Sequence, residues 1–280
     1  MQAIIHGKKL ILAGDHKQLP PTIMSDEAAK KGMSITLLER CVNYFGAEVH
    51  RMLNVQYRMN EKIMSWSNSK FYEDKVVSDT SCKHGFVQDL DVIKFVDTAD
   101  CNFEEIKDDA GSVANLFEAE IIRIQVEKLL KIHNLSPQDI GVITPYNHQT
   151  QVLKKKLPAN VEVSTVDGFQ GREKLAILLT LVRSNGNKII GFLKDTRRLN
   201  VAVTRAMKHL FVVGDSETVS TGADGCLKDF TEWLKTEVGD KIVNGLEMEY
   251  DEEFADGFRE LRVSDESAVK NTESDIFDYC

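Results

Sequence analysis

Four polar segments of this chain carry side chains that could bind or transfer a phosphate group. The segments are GDHKQLPP at 14–21, NVQYRM at 54–59, VSTVDGFQGRE at 163–173 and RRLNVAVTRA at 197–206. Each segment follows a predicted strand or opens a predicted helix, and loops at such places often hold binding and catalytic residues. A hydrophobic core does not require these residue types, so the four segments are the first candidates for a functional site.

The first two segments place polar or aromatic side chains where a strand ends. In the first, Asp15 and Gln18 present a carboxylate and an amide that could meet a phosphate, a metal-bound water or an incoming residue. A rigid turn built from glycine and proline is the alternative interpretation. In the second, Tyr57 could stack on a base while the planar guanidinium of Arg58 pairs with a phosphate. A surface ion pair beside a half-buried tyrosine is the simpler alternative.

The third and fourth segments combine backbone freedom with a rigidly held cation. Two glycines in the third segment allow backbone amides to approach a bound anion, and Thr165, Asp167 and Gln170 add donors and acceptors. A structural turn requires the glycines but not these polar residues. The fourth segment predicts an amphipathic helix with Asn200 and Arg205, whose arginine could stabilise charge on a transferred phosphoryl group. A solvated helix face is the alternative.

These segments lie within a pattern of alternating strands and helices from about residue 90 onward. Short apolar runs predict the strands, and apolar residues at helical spacing predict the helices. Such alternation favours an α/β fold with a mostly parallel sheet and helices on both faces. The polar segment 97–114 is expected to be a surface loop. The predicted order is strand 92–96, helix 117–132, strand 140–144, helix 149–157, strand 161–165, strand 176–182, helix 199–207, strand 210–213 and helix 227–238.

The N-terminal third of the chain contains fewer predicted elements. An apolar run at 9–13 is expected to form a buried parallel strand that delivers the first polar segment at its carboxyl end. Ser34 is expected to cap a helix that continues to Phe45. A strand is predicted at 48–55, and another helix is predicted to follow Asn60.

The net charge of −9 is located in the C-terminal segment. Of the 44 acidic and 35 basic residues, residues 244–280 hold 12 acidic and three basic ones, so the rest of the chain has 32 of each. A neutral body permits a local basic groove for nucleic acid without predicting one. The acidic segment is expected to be a disordered tail, with an acidic peptide that docks on a protein partner as the alternative.

The composition argues against several classes of protein. With 280 residues, 42% of them hydrophobic, the chain can form one sizeable core or somewhat more. The apolar run at 175–182 is far shorter than the roughly 20 residues that span a membrane, and no signal-peptide pattern is recognised. A soluble protein of the cytoplasm, the nucleus or both is therefore expected. The five cysteines include no C-x-x-C pair, so neither a metal site nor a disulfide framework is predicted.

Together and in this order, the four segments resemble motifs III, IV, V and VI of superfamily 1 helicases. The likeness is to the subgroup that includes the nonsense-mediated-decay helicase and the immunoglobulin mu-binding helicase, which move 5' to 3' on single strands. Residues 143–149 (ITPYNHQ) and 211–215 (FVVGD) also resemble that subgroup, and the resemblance covers about residues 8–240. It implies a RecA-like P-loop NTPase architecture. The implied parts are a remnant of the first RecA-like domain at 1–48, the second RecA-like domain at 49–243 and the acidic tail at 244–280.

The resemblance also implies roles for individual residues. Gln18 would sense the γ-phosphate of ATP, and Tyr57 would stack near the adenine. Arg58 and Arg205 would reach the phosphates as two arginine fingers. The residues that would complete the nucleotide site are Gly171, Glu173 and Asp15. The residues implied to lie towards the single-strand groove are Pro20, Thr144, Pro145, Tyr146, Thr165 and Asp167.

Two motifs that the resemblance leads us to expect do not occur in the chain. ATP hydrolysis in this family requires a G-x-x-x-x-G-K-[ST] loop that cradles the phosphates and a carboxylate pair that holds Mg²⁺. Neither pattern is found in the sequence. The chain is therefore expected to begin just after the second motif, and to use ATP and Mg²⁺ only together with an N-terminal RecA-like domain.

The leading interpretation is the C-terminal motor half of an ATP-dependent 5'-3' DNA or RNA helicase, inactive alone. One alternative is a non-catalytic module, from a truncated isoform or paralogue, that binds nucleic acid or a protein partner. Another is a chain cut short by an alternative start or an incomplete gene model. The expected partner is single-stranded DNA or RNA, and the motifs favour neither because they meet sugar and phosphate more than base edges. The oligomeric state is left open.

Overall fold

The structure is a computed structural model, and it describes residues 6–221, 225–249 and 261. The chain divides into two units, residues 1–54 and residues 55–280. Within the described residues, no helix has both the length and the apolar composition that crossing a membrane requires.

Among its described residues, the second unit contains one large parallel sheet and two small two-stranded sheets. Its strands are β1 (Val55–Gln56), β2 (Val77–Ser78), β3 (Ile93–Asp97), β4 (Ile106–Lys107), β5 (Val113–Ala114), β6 (Ile140–Thr144), β7 (Glu162–Thr165), β8 (Lys174–Thr180), β9 (Ala206–Gly214) and β10 (Val243–Asn244). The large sheet has the order β10-β3-β9-β8-β6-β7, and every pair in it is parallel. β1 pairs with β2 in parallel, and β4 pairs with β5 antiparallel.

Helices lie between the successive strands of the large sheet along the chain, because parallel strands need crossover connections. The α-helices of both units are α1 (Asp26–Ala28), α2 (Leu37–Phe45), α3 (Glu61–Tyr72), α4 (Leu116–Lys131), α5 (Asn147–Lys156), α6 (Val166–Phe169), α7 (Thr196–Val203), α8 (Ser216–Val219), α9 (Cys226–Val238) and α10 (Gly245–Glu249). Short 3₁₀ turns lie at Gly46–Glu48, Pro137–Asp139, Gly191–Lys194 and Gly239–Lys241, and a π-helical turn at Ala29–Met33. Asn60, Asn115 and Asp195 cap α3, α4 and α7 by accepting a backbone amide in the first turn.

Different helices cover the two faces of the large sheet. Val142, Leu178 and Phe211, from β6, β8 and β9, belong to a buried hydrophobic cluster that also contains Ile121 of α4. The residues that alternate with them along the strands, such as Val212, lie outside that cluster although they are equally buried. Helices α3 and α7 also contact β9, and their buried residues lie outside the cluster. The predicted α/β architecture, a parallel sheet flanked by helices, is therefore confirmed.

The described residues of the first unit are less buried than those of the second. Its α2 begins after Thr36, whose hydroxyl accepts the backbone amide of Glu39 at 3.1 Å, so Thr36 rather than Ser34 is the capping residue. Where burial is described, no residue between 6 and 54 is buried. This unit therefore has no hydrophobic core of its own among its described residues.

Two predicted strands are wrong. Residues 9–13 form no strand and are exposed, with 81% of Ile11 open to solvent. No strand in the described part of the first unit is available to pair with them, and an isolated apolar run has nothing to stabilise it as a strand. The strand predicted at 48–55 is also too long, because only Val55 within it belongs to β1.

Other expectations need smaller corrections. The strand at 140–144 matches β6, and the remaining strands and helices after residue 90 shift at most a few residues. The loop expected at 97–114 contains the short sheet of β4 and β5. The acidic tail expected from residue 244 onward begins with ordered elements, because Asn244 ends β10 and Gly245–Glu249 form α10. The rest of that segment, apart from Leu261, lies outside the described residues.

Candidate functional site

A turn between β1 and α3 fixes the position of Arg58. The side-chain oxygen of Gln56 accepts the backbone amides of Arg58 and Met59, both at 2.8 Å. The side-chain nitrogen of Gln56 donates to the Met59 carbonyl at 2.7 Å and to Ser78 Oγ at 2.6 Å. The bond to Ser78 links this turn to β2, and the adjacent Tyr57 is 69% exposed. The predicted adenine-stacking residue is therefore open to solvent.

Three predicted site residues meet at the amino ends of β8 and β9. Glu173 directly precedes β8, and Arg205 directly precedes β9. Arg58 forms an ion pair with Glu173 and donates from Nη1 to the Thr204 carbonyl at 3.2 Å. Arg205 donates from Nη2 to the Thr204 hydroxyl at 2.9 Å, so both arginines contact the same residue. Arg58, Glu173, Thr204 and Arg205 are called the arginine cluster below.

The two arginines of this cluster differ in exposure. The side chain of Arg58 is 34% exposed and that of Glu173 is 46% exposed, so their ion pair is open to water. Arg205 is only 2% exposed. Its Nε donates to the Val201 carbonyl at 3.0 Å and its Nη1 to the Arg172 carbonyl at 3.3 Å. Arg205 is therefore held rigidly by its own domain, beyond the end of α7 rather than on the predicted helix.

Gly171 shapes the loop that leads to Glu173. Its φ of 82° lies in the left-handed region, which a side chain disfavours and glycine adopts freely. The backbone amide of Arg172 donates to the Phe169 carbonyl at 3.1 Å and closes this turn. The loop then delivers Glu173 to the start of β8. Gly171 thus lies beside the arginine cluster, and its contribution there is conformational.

In the first unit, Asp15 and Gln18 contact each other. Asp15 Oδ1 accepts the backbone amide of Lys17 at 2.9 Å, and Oδ2 accepts Gln18 Nε2 at 3.0 Å. The backbone amide of Gln18 donates to the Asp15 carbonyl at 3.2 Å. These bonds describe a tight turn that presents both side chains on one short loop, followed by the partly exposed Pro20. The segment therefore forms a tight turn and also brings the carboxylate of Asp15 and the amide of Gln18 together.

The residues predicted for the single-strand groove lie at the carboxyl ends of β6 and β7 in the second unit, apart from Pro20. Thr144 is fully buried, and Tyr146 is 4% exposed with its hydroxyl donating to the Ile190 carbonyl at 3.3 Å. Pro145 between them is partly exposed. Because the polar atoms of Tyr146 serve internal contacts, its ring supports the surrounding structure instead of facing solvent.

The loop after β7 reaches the surface. Thr165 accepts the backbone amide of Gly168 at 3.4 Å and thereby caps α6. Asp167 is exposed and accepts Arg198 Nε at 3.0 Å, which links this loop to the first turn of α7. Arg198 also lies near Asp195, with 3.5 Å between Nη1 and Oδ2. The structure therefore brings Asp167 to the helix that ends at the arginine cluster.

A buried ion pair between Arg183 and Glu105 contacts the hydroxyl of Tyr146, and the sequence pattern does not predict it. Arg183 donates from Nε and Nη2 to the two carboxylate oxygens of Glu105 at 2.7 and 2.9 Å, a bidentate pair whose side chains are 6% and 5% exposed. Arg183 Nη1 donates to the Tyr146 hydroxyl at 3.2 Å. Burial raises the pKa of Tyr146, so this hydroxyl keeps its proton. The one sequence signal is that Arg183 directly follows a long apolar run.

A second buried carboxylate lies where β8 ends. Glu118 of α4 accepts the Thr180 hydroxyl at 2.5 Å and the backbone amide of Val182 at 2.9 Å, both at Oε2. Among the described residues, its other oxygen has no hydrogen-bond partner. Burial raises the pKa of Glu118 from 4.5 to about 8. Val182 has a φ of 71°, rare for a β-branched residue, so Glu118 stabilises a strained turn.

Comparison with known proteins identifies the relatives of this chain. The sequence matches two family models, each described as an AAA domain, one over residues 33–217 and one over residues 1–26. DNA-binding protein SMUBP-2 from Mus musculus is 41% identical over 234 residues, which are 79% of this chain and 24% of the relative. DNA polymerase alpha-associated DNA helicase A from Saccharomyces cerevisiae is 39% identical over 253 residues, 81% of this chain and 37% of the relative.

A third relative belongs to the group that the motifs resemble. Regulator of nonsense transcripts 1 homolog from Neurospora crassa is 39% identical over 228 residues, 76% of this chain and 21% of the relative. The chain thus spans between 21% and 37% of the length of these three relatives. From its motifs, its α/β fold and these matches, the chain belongs to the superfamily 1 DNA and RNA helicases.

Proposed function

We propose that this chain is the C-terminal motor half of an ATP-dependent 5'-3' helicase and does not hydrolyse ATP by itself. The arginine cluster carries the proposal, because Arg58, Glu173 and Arg205 come from three segments and meet at one edge of the sheet. The names of the relatives, a DNA-binding protein, a DNA helicase and a regulator of nonsense transcripts, support nucleic acid as the partner. The direction of movement rests on the motif resemblance alone.

The cluster fits the phosphate end of ATP. ATP bound with Mg²⁺ supplies the phosphoryl group whose transfer to water drives a helicase. Arg58 already pairs with a carboxylate through Nε, and its partly exposed guanidinium could pair with a phosphate in place of that carboxylate. Arg205 would contribute positive charge from a fixed and buried position, where preorganised charge is most effective. These two residues would stabilise the charge that develops during transfer.

The one carboxylate of the arginine cluster, Glu173, is paired with Arg58. Across the part of the chain that the structure describes, no three His, Cys, Asp or Glu side chains are grouped so as to hold a metal ion. The sequence also has no G-x-x-x-x-G-K-[ST] loop. We therefore assign the phosphate cradle and Mg²⁺ to another RecA-like domain, and only the arginine side of the nucleotide site to this chain.

Helix α7 offers a rigid link between the two predicted binding regions. Its first turn carries Arg198, which pairs with Asp167 beside the predicted groove. Its last residue, Val203, is followed directly by Thr204 and Arg205 of the arginine cluster. The eight residues of this helix span about 12 Å. A displacement of Arg205 towards ATP would therefore move the groove end of the helix as well.

A second candidate function is favoured by the burial of Arg205. Because its guanidinium donates to the Val201 and Arg172 carbonyls and to the Thr204 hydroxyl, Arg205 is also compatible with a purely structural role. In that case the chain would be a non-catalytic module that binds single-stranded nucleic acid.

ATP hydrolysis separates the two candidates. It would be measured for the 280-residue chain and for a continuous polypeptide in which a Walker A and B domain precedes it, with and without single-stranded DNA or RNA. We expect strand-stimulated hydrolysis only in the longer protein, and a loss of about 10³-fold for Arg58→Ala. Lys75→Ala, which removes another exposed ion pair, is the matched control and should be fully active. Hydrolysis by the short chain would contradict the proposal.

A further inference from the structure

Phe192 is an exposed aromatic ring on an otherwise well-packed segment. It lies in the 3₁₀ turn Gly191–Lys194 between β8 and α7, and 60% of its surface is open to solvent. Its neighbours Ile190 and Leu193 are buried, with 4% and 6% exposure. The turn is therefore anchored on both sides of Phe192 while the ring itself faces outward.

Close packing beneath the turn holds the ring in place. Gly191 has a φ of 54°, and a Cβ at this position would lie 2.4 Å from Arg183 Nη1 and 2.7 Å from Tyr146 Oη. The Tyr146 hydroxyl donates to the carbonyl of Ile190 on the same segment. The bidentate pair of Arg183 with Glu105 fixes this support in turn. A ligand that meets Phe192 would therefore lose little binding free energy in ordering it.

The surroundings of the ring combine aromatic, apolar and cationic groups. The centroids of the Phe192 and Tyr146 rings are 5.7 Å apart, and Arg198 Cζ lies 5.6 Å from the Phe192 centroid. Pro145, Phe192 and Arg198 line one shallow apolar recess with Val166. Planar bases stack on such aromatic faces, and a neighbouring arginine adds attraction for the base and for phosphate.

We propose that Phe192 is a stacking residue for one base of a single-stranded nucleic acid, with Tyr146, Arg183 and Gly191 as the residues that position it. This inference rests on the strand-binding part of the proposed function and adds the side chain that meets a base. Lys194, exposed in the same turn, supplies a cation for the backbone of the strand. Arg198 is paired with two carboxylates, those of Asp167 and Asp195, which offset its charge. Stacking is therefore expected to contribute more to the binding of the strand than net charge at this position.

Nucleic acid fits this surface better than a protein partner does. Protein interfaces generally bury aromatic anchors within a contiguous apolar patch, whereas here one ring projects beside charged side chains. The recess beside the ring, lined by Pro145 and Val166, is apolar and shallow. These features match a single stacked base and the phosphate that follows it.

The test is binding of the 280-residue chain to labelled oligothymidylate and oligouridylate of about 12 nucleotides, followed by fluorescence anisotropy at one low salt concentration. We expect Phe192→Ala to weaken binding about tenfold and Phe192→Trp to preserve it. Ile189→Ala is the matched control, because Ile189 is 51% exposed on the same connection. Its affinity should stay within about twofold of the unchanged protein.

Phe192→Trp provides a second readout. A tryptophan that stacks on a base should lose fluorescence on binding, beyond any change in the protein that holds only Trp66 and Trp233. Tenfold weaker binding by Phe192→Ala, together with quenching in Phe192→Trp, supports the inference. Equal affinities for Phe192→Ala and the unchanged protein, or no added quenching, would overturn it while leaving strand binding intact. If the unchanged chain binds neither oligonucleotide, both the inference and the strand-binding part of the proposed function are wrong.

Discussion

Arg58 and Glu173 form an ion pair although 115 positions separate them in the sequence. The pair joins the turn before α3 to the amino end of β8, and both partners are open to water. Exposed ion pairs of this kind are screened and contribute little to stability. The arrangement therefore positions a cation whose partner can be exchanged, rather than one that holds the fold together.

Arg58→Ala and Glu173→Gln should each change the free energy of unfolding by less than about 1 kcal/mol. Urea denaturation of the 280-residue chain measures this, and a double-mutant cycle gives the coupling between the two side chains. Lys75→Ala, at the exposed pair of Lys75 with Glu73, is the control of similar exposure. A loss of several kcal/mol in either variant would show that the pair is structural.

Arg205→Ala should destabilise the same chain by about 2–3 kcal/mol. The substitution removes a buried guanidinium and leaves the carbonyls of Val201 and Arg172 without this donor. Urea denaturation again provides the measurement, with Arg58→Ala as the exposed arginine for comparison. If the two variants proved equally stable, the buried hydrogen bonds of Arg205 would have no measurable structural effect.

Glu118 should make stability fall as the pH rises from about 4.5 to about 8. Burial raises its pKa in the folded chain, so the folded state keeps a proton that the unfolded state releases across this range. The slope is at most about 1.4 kcal/mol per pH unit. Unfolding free energies of the unchanged chain and of Glu118→Gln, measured at several pH values, should diverge in favour of Gln as the pH rises. Parallel curves would contradict the raised pKa.

His209 should affect stability in the opposite direction from Glu118, so that stability falls as the pH decreases below 6.5. Burial, with further contributions from Lys94 and His133, lowers its pKa from 6.5 to about 4, and its Nδ1 lies 2.6 Å from the Asp91 carbonyl. Below pH 6.5 the unfolded state binds a proton at this histidine that the folded state does not bind. Stability is therefore lost as the pH falls towards 4. His209→Gln keeps an amide donor near Asp91 and should flatten this loss in urea denaturation. An unchanged slope would show that His209 is not the group responsible.

The sequence predicts the second unit well because its strands are short apolar runs between polar loops. The strand at 140–144 is buried on both sides, so its uninterrupted apolar pattern leaves little choice of assignment. The run at 9–13 has the same pattern but forms no strand, since a strand requires a pairing neighbour that local pattern does not reveal. Thr36 and Ser34 are both suitable caps, and only the backbone geometry distinguishes them.

The candidate site also contains some residues that the sequence predicts and others that it does not. Arg58, Glu173 and Arg205 were found through motifs, and the structure brings them together. The burial of Tyr146 and the pair of Arg183 with Glu105 depend on contacts between segments far apart in the sequence, which no local pattern contains.

The position of β3 has a consequence for the order in which the sheet can assemble. β6, β7 and β8 lie within residues 140–180, and β6 pairs with both β7 and β8, so this part needs only local closure. β3 pairs instead with β9 and β10, and Ile93 finds its partner only at Leu210. Long-range closure of this kind slows folding. If the chain folds during synthesis, β3 cannot complete its pairing with β9 until Leu210, more than a hundred positions after Ile93, has been added.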